Sequence, residues 1–218
     1  MPDYVRLLRY EDIDQVIKID REAFPTEWPP PNFKREMENR LANYIVACNA
    51  EEMPEEPVEI VPQKAPKNTL SRVRQFFTRS QSPESVRSAN SGECITGFAG
   101  FWTMADEVHI TTIAIREESR RQGIGELLLQ SIIAMAGKRA ARIVTLEVRV
   151  SNTAAQQLYT KYGFNEVGLR RGYYTDNQED AVIMSIDHIT SSSFQTQLQE
   201  LKEAYTKKWG ADRYPIVG

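Results

Sequence analysis

Cysteine and histidine are nearly absent: Cys48, Cys94, His109 and His188 are the only ones in 218 residues. So few ligands, with no ligand spacing around them, argue against a zinc or other metal site. The two cysteines fall in predicted strands and read as reduced core residues of a cytoplasmic protein. No apolar run approaches the ~18 residues that cross a membrane. The N-terminus lacks the basic-then-apolar pattern of a secretion signal. Charge of one sign is missing too: 27 basic residues face 30 acidic ones, for a net −3. That balance argues against direct nucleic-acid binding by bulk electrostatics, although a local basic patch stays open. What is present is 41% apolar residues, enough for a real core. The length fits one domain with additions, or two small ones.

Periodicity predicts a short strand over Val5 to Leu8. A helix over Glu11 to Phe24 follows, with Ile13, Val16, Ile17 and Ala23 at helical spacing. Pro25 ends it, and Trp28-Pro29-Pro30-Pro31 forms a stiff connector. Pro31 can open a second helix, Asn32 to Arg40. Tyr44 to Cys48 reads as a strand. Residues 51–93 are Pro-, Ser- and Asn-rich, acidic first and then basic, and read as an inserted, mobile loop. Within 69–79, Leu70, Val73 and Phe77 repeat at helical spacing between arginines. This is either a partner-contacting helix or one hydrophobic tether in a solvated insertion.

Strands resume at Cys94 to Met104 and Val108 to Ile115. A glycine-bearing turn leads into a helix that ends near Gly137. Arg142 to Val150 is a strand. Asn152 to Tyr162 is a helix, capped by Ser151 or Asn152 and stopped by Gly163. Phe164 to Leu169 and Ala181 to Ile186 are the last strands. The order β-α-α-β-β-β-α-β-α-β-β predicts a mixed sheet flanked by helices, in the α/β to α+β range. The domain is expected over 1–189, with a helical tail over 190–218. In that tail Phe194, Leu198, Leu201, Tyr205 and Trp209 form one stripe, with Ser193 as cap. The stripe in 194–209 packs on its own domain or faces a partner.

The turn Arg120-Arg121-Gln122-Gly123-Ile124-Gly125 carries the first chemical signal. Two glycines let backbone approach a ligand. The amides of the first helical turn point outward and carry partial positive charge, which suits phosphate. A glycine turn is also the simplest way to reverse a chain, and both readings stay open at this point. The pattern is neither a nucleotide P-loop, since no Gly-Lys-Ser/Thr follows, nor the three-glycine dinucleotide fingerprint. On the strand Arg142 to Val150, alternation places Ile143, Thr145, Glu147 and Arg149 on one face. Glu147 then either pairs with a cation such as Arg149 or serves the chemistry. Asn152 reads singly as a helix cap and Tyr159 as a core tyrosine.

Taken jointly these residues resemble the GNAT superfamily of acetyl-CoA-dependent N-acetyltransferases. The signature is the R/Q-x-x-G-x-G/A turn after a strand, here Arg120 to Gly125. The sequence is similar, more narrowly, to the RimI type, which acetylates the N-terminal alanine of a ribosomal protein. The matching runs are Ile113 to Ile115, Arg121 to Gly125, Leu146 to Asn152, Ala155, Leu158-Tyr159, Tyr162 to Phe164, Arg170 to Tyr174 and Glu179 to Met184. The likeness is strong over 108–186 and fair over 5–48, where Ala23-Phe24-Pro25 and Trp28 match the first-helix region. The insertion and the tail depart from the compact family pattern.

The resemblance implies a mostly antiparallel central sheet, acetyl-CoA as cosubstrate and no metal. It implies that the backbone of Ile113, Ala114 and Ile115 holds the pantetheine arm. The amides of Arg121, Gln122, Gly123, Ile124, Gly125 and Glu126 would cradle the pyrophosphate, and Asn152 would bind near the thioester. It assigns Glu147 as general base and Tyr159 as general acid. By analogy and aromatic content, Phe24, Trp28, Tyr173 and Tyr174 would wall an extended N-terminal substrate. The acceptor so implied is a protein N-terminus, that of a ribosomal protein. A small-molecule amine, an internal lysine, or a purely acetyl-CoA-binding interaction module stand as the rival readings.

Overall fold

A computed structural model describes residues 3–24, 31–49 and 94–210. The expected loop at 51–93, its 69–79 stretch, the Trp28 wall and the tail beyond Gly210 lie outside the described residues. The strands are β1 (Asp3–Leu7), β2 (Ala42–Asn49), β3 (Cys94–Met104), β4 (Glu107–Ile115), β5 (Ile143–Arg149), β6 (Asn165–Tyr174) and β7 (Glu179–Asp187). The helices are α1 (Ile13–Ala23), α2 (Phe33–Glu38), α3 (Ile124–Lys138), α4 (Thr153–Lys161) and α5 (Ser192–Trp209). The order matches the expectation, with α5 appended. One sheet runs β1-β2-β3-β4-β5-β7-β6. Every neighbouring pair in it is antiparallel except β4–β5.

Two cores form because the sheet is buried on both faces. On one side α1 presses Ile13, Val16 and Ile19 at helical spacing against Tyr44, Val46, Phe98 and Ala114. On the other, α3 is apolar nearly all round: Leu127, Leu128, Leu129, Ile132, Ile133 and Ala136 are all buried. A helix of that composition must be covered on every side. Its covers include β5 through Val144, Leu146 and Val148, and α5 through Leu198 and Tyr205. The α5 stripe therefore packs on its own domain, one of its two expected destinations.

The sheet opens at one place. β4 and β5 pair only from Glu107 to Ile110 against Ile143 to Leu146. Beyond that the two strands separate. Against β3, Gly100 faces Thr112 while Phe101 faces Ile110, which leaves Thr111 as an extra residue. Such a bulge bends its strand and raises its twist. So β4 swings away into the glycine turn, and β5 ends at the start of α4. The cleft lies between them.

Gly100 is packed on the same side by Tyr44, whose ring carbon would lie 2.5 Å from an added Cβ. Phe33 meets that ring edge-on at 5.5 Å, which limits its retreat. Overpacking of this kind costs about 1–3 kcal/mol, so Gly100→Ala should lower the urea midpoint without changing the m-value.

Several local expectations are corrected. Cys94 is exposed at the first position of β3, so only Cys48 is a core cysteine. α3 runs past Gly137 to Lys138, and Ala140 takes the left-handed conformation that ends it. Ser191, not Ser193, caps α5 by accepting from the Phe194 amide. The final hairpin is longer than the pattern suggests: pairing with β7 carries β6 to Tyr174, opposite Glu179, through a mostly exposed stretch without the alternation that marks a half-buried strand.

Candidate active site

The cleft mouth is built by the turn between β4 and α3. Arg121 and Gly123 both take positive φ, 62° and 84°. The Leu127 amide donates to the Gly123 carbonyl at 3.0 Å and closes the first turn. The amides of Ile124, Gly125 and Glu126 therefore precede the first intrahelical donor, the Leu127 amide, and point out of the helix. An added Cβ at Gly125 would meet only Ile115 and Leu158, at 3.9–4.0 Å, so this position has room. The Glu126 carboxylate is turned toward α4, where the Tyr162 hydroxyl donates to it at 2.7 Å and Lys161 pairs with it. That removes one negative charge from the helix entrance. Exposed backbone, open space at Gly125 and a neutralised Glu126 together fit an anionic ligand such as a pyrophosphate.

Glu147 sits where β5 leaves β4. Its side chain is only 6% exposed. The imidazole Nε2 of His109 donates to Oε2 at 3.1 Å, and Arg170 from β6 meets Oε1 at 3.1 Å. The His109 hydrogen bond outweighs burial and holds the carboxyl below its ordinary value, with Arg170 adding to it. Glu147 is thus ionised at neutral pH in a nearly dry place. Its partner is not Arg149. That guanidinium lies 3.9 Å over the Tyr174 ring and binds Asp176 and Glu179 at 2.8 and 3.0 Å. Glu179 also accepts from the Ser151 amide at 2.8 Å, and these contacts draw its carboxyl down to about 2. The β6–β7 hairpin is thereby tied to the β5–α4 junction.

Asn152 caps α4, its Oδ1 accepting from the Ala155 amide at 3.2 Å. A ligand contact would fall to its Nδ2. Tyr159 is 9% exposed and packs on Phe164 with ring centroids 5.6 Å apart. Burial, and then Tyr174 nearby, push its phenol well above the ordinary tyrosine value. Tyr173 and Tyr174 meet edge-on at 5.2 Å; burial raises both phenols, that of Tyr174 to about 12, and Glu147 adds to both. The structure thus gathers Glu147, Tyr159, Tyr173 and Tyr174 into one electrostatic neighbourhood. Phe24 stands exposed beyond the end of α1.

Sequence reasoning missed His109 and Arg170. Strand alternation contained the signal for His109, since it lies on the face opposite Val108 and Ile110. In the parallel register, where His109 faces Thr145, that face is the one Glu147 occupies. Among the described residues no three His, Cys, Asp or Glu side chains cluster as metal ligands, and no helix is long and apolar enough to cross a membrane.

Known proteins resemble this chain in sequence and fold. The acetyltransferase (GNAT) family profile matches residues 13–164. An N-alpha-acetyltransferase of Sulfurisphaera tokodaii is 35% identical over 83% of this chain and 90% of its own. The [ribosomal protein bS18]-alanine N-acetyltransferase of Escherichia coli K12 is 43% identical over 94 residues, 42% of this chain and 64% of its own. A crystal structure of the ribosomal-protein-S18-alanine N-acetyltransferase from Escherichia coli superposes with a TM-score of 0.59 at 25% identity, over 85% of this chain and 94% of that one. A splayed β4–β5 pair, a glycine turn opening α3 and a buried carboxylate on β5 thus occur in a chain that belongs to the acetyltransferase (GNAT) family, whose activity is acetyl-CoA-dependent acetyl transfer.

Proposed function

We propose that this protein acetylates the N-terminal α-amine of a protein, with a ribosomal protein as the acceptor and the cytoplasm as the place. The observation that carries the reading is Glu147: a nearly dry carboxylate, kept ionised by His109 and Arg170, at the point where the β4–β5 cleft begins to open. The activities of the relatives, an N-alpha-acetyltransferase and a ribosomal-protein alanine acetyltransferase, support the acceptor class.

A free α-amine has a pKa of roughly 8, so at neutral pH most of it is protonated and cannot attack. Glu147 takes that proton, directly or through one water. Bound acetyl-CoA supplies an electrophilic thioester carbonyl. The backbone of Ile113, Ala114 and Ile115 lies on the β4 edge that β5 has left, where it can hold the pantetheine arm and offer an N–H to the developing oxyanion. The amides of Arg121 to Glu126 hold the pyrophosphate, and Asn152 contacts the cofactor near the thioester. Tyr159 is the acid. Its raised phenol keeps its proton throughout the working pH range and presents it to the departing sulfur. Tyr173 and Tyr174, with Phe24, border the acceptor's path.

The acceptor class is tested with two peptides of one sequence, one bearing a free N-terminal alanine, the other N-terminally blocked with an internal lysine. Mass spectrometry should find the acetyl group on the α-amine alone. Acetylation of the lysine peptide at equal or greater rate would overturn the acceptor assignment.

A further inference from the structure

α5 does more than cover apolar surface. Its first turn brings Phe194 to 3.6 Å from where a Cβ of Gly163 would be, just after α4. Its last turn reaches the other end of the site. The indole of Trp209 lies against Gly123 so closely that a Cβ there would be 2.8 Å from Cε2 and 2.9 Å from Nε1. One turn earlier, the buried Tyr205 hydroxyl donates to the Gly123 carbonyl at 3.3 Å. Gly123 is the left-handed residue that sets the direction of the exposed amides following it. Tyr205 also lies near Tyr162, which grips Glu126 in the same first turn of α3. Gln130 steadies the Tyr162 hydroxyl from within α3 at 2.6 Å.

We infer that Tyr205 and Trp209 are positioning residues for the cofactor: the end of α5 clamps the Gly123 turn in the conformation that presents its amides to the pyrophosphate of coenzyme A. This rests on the reading that the turn grips the pyrophosphate. The choice of contacts favours a clamp over a cap that blocks the site. Tyr205 engages the Gly123 carbonyl, which already points into the helix, and leaves the amide side to a ligand. Trp209 occupies the side of Gly123 where its Cβ would be. Gly125 opens instead toward Ile115 and Leu158, where β4 and α4 border the cleft. Helix polarity adds a second point. The last carbonyls of α5 bring partial negative charge toward the turn, which would oppose a phosphate. Lys207 and Lys208 occupy that last turn and offset it, with Lys208 Nζ 4.6 Å from the Trp209 ring.

The clamp predicts a split that simple loss of core packing would not give. In the full chain, Trp209→Ala should weaken coenzyme A binding about tenfold by calorimetry, since a left-handed turn released from its support samples other conformations. At saturating acetyl-CoA its kcat and its KM for the acceptor peptide should stay near wild type. Tyr205→Phe should do the same more weakly, and Trp209→Phe should restore most of the affinity. Gly125→Asp serves as the control on the turn itself. If Gly125→Asp loses coenzyme A while Trp209→Ala binds it as wild type, the clamp is overturned and the pyrophosphate turn stands. If Trp209→Ala binds more tightly, the indole is a gate and the clamp is equally overturned. If Gly125→Asp binds normally, the turn is not the grip and the clamp falls with it.

Discussion

Glu147→Gln should lower kcat/KM for a peptide with a free N-terminal amine by about 10²–10⁴-fold, the usual worth of a general base, with coenzyme A affinity near wild type. Gln has nearly the same volume and its carbonyl can still accept from His109 or Arg170, so the variant removes charge and basicity more than packing. Wild-type turnover would take Glu147 out of the reaction. The pH profile separates a base from a mere ion-pair member. Because the His109 hydrogen bond holds the Glu147 carboxyl low, the wild-type enzyme should show no carboxylate limb between roughly pH 5 and 7. Its rate should rise with the amine's own titration near 8. His109→Phe removes the largest lowering influence and leaves burial, which acts upward. An acid limb should then appear at higher pH, in kcat/KM, with Arg170 still in place.

The same depression has a consequence for stability. A carboxyl whose folded value lies below its unfolded one stabilises the fold above the unfolded value, near 4.3, and loses that contribution as pH falls through the folded value. The Glu147 network should therefore add stability at neutral pH and lose it on acidification. Glu147→Gln should flatten that part of the stability profile rather than shift it. Urea midpoints of wild type and variant, compared from pH 6 downward, read the difference.

Much of this site was legible because strands alternate. Ile143, Thr145, Glu147 and Arg149 share a face by period two, and β5 keeps that pattern, with Val144, Leu146 and Val148 buried in the other core. The glycine turn was legible because left-handed backbone and exposed amides need Gly123 there. Partner choice was not legible. Arg149 is two residues from Glu147 in sequence, yet the β6–β7 hairpin delivers Asp176 and Glu179 to it, and delivers Arg170 to Glu147. Those contacts depend on register, which carries no local sequence signal when the strand is an edge with a mostly exposed face. For His109 alternation carried half the signal, its face; its meeting with Glu147 needs the parallel β4–β5 register as well. The stripe on α5 was plain in the spacing of Phe194 to Trp209. Its end point on Gly123 was not, because an amphipathic helix declares that it has a buried face and not what that face meets.

Gly125→Asp should weaken coenzyme A binding about 100-fold or more, since a like charge set against a phosphate costs several kcal/mol. The substitution acts against the ligand and in favour of the fold. Gly125 is the second residue of α3, where a carboxylate interacts well with the helix dipole by about 0.3–1 kcal/mol. Replacing glycine within a helix adds a further gain in propensity. A Cβ there makes only ordinary contact with Ile115 and Leu158. The neighbouring acid, Glu126, is already held by Tyr162 and Lys161, so the new carboxylate at the helix entrance is the one a phosphate would meet. The melting temperature should therefore stay level or rise while affinity falls. Opposite movements of stability and binding cannot come from misfolding, and a variant that melts no lower yet binds coenzyme A normally would remove the turn from the cofactor site.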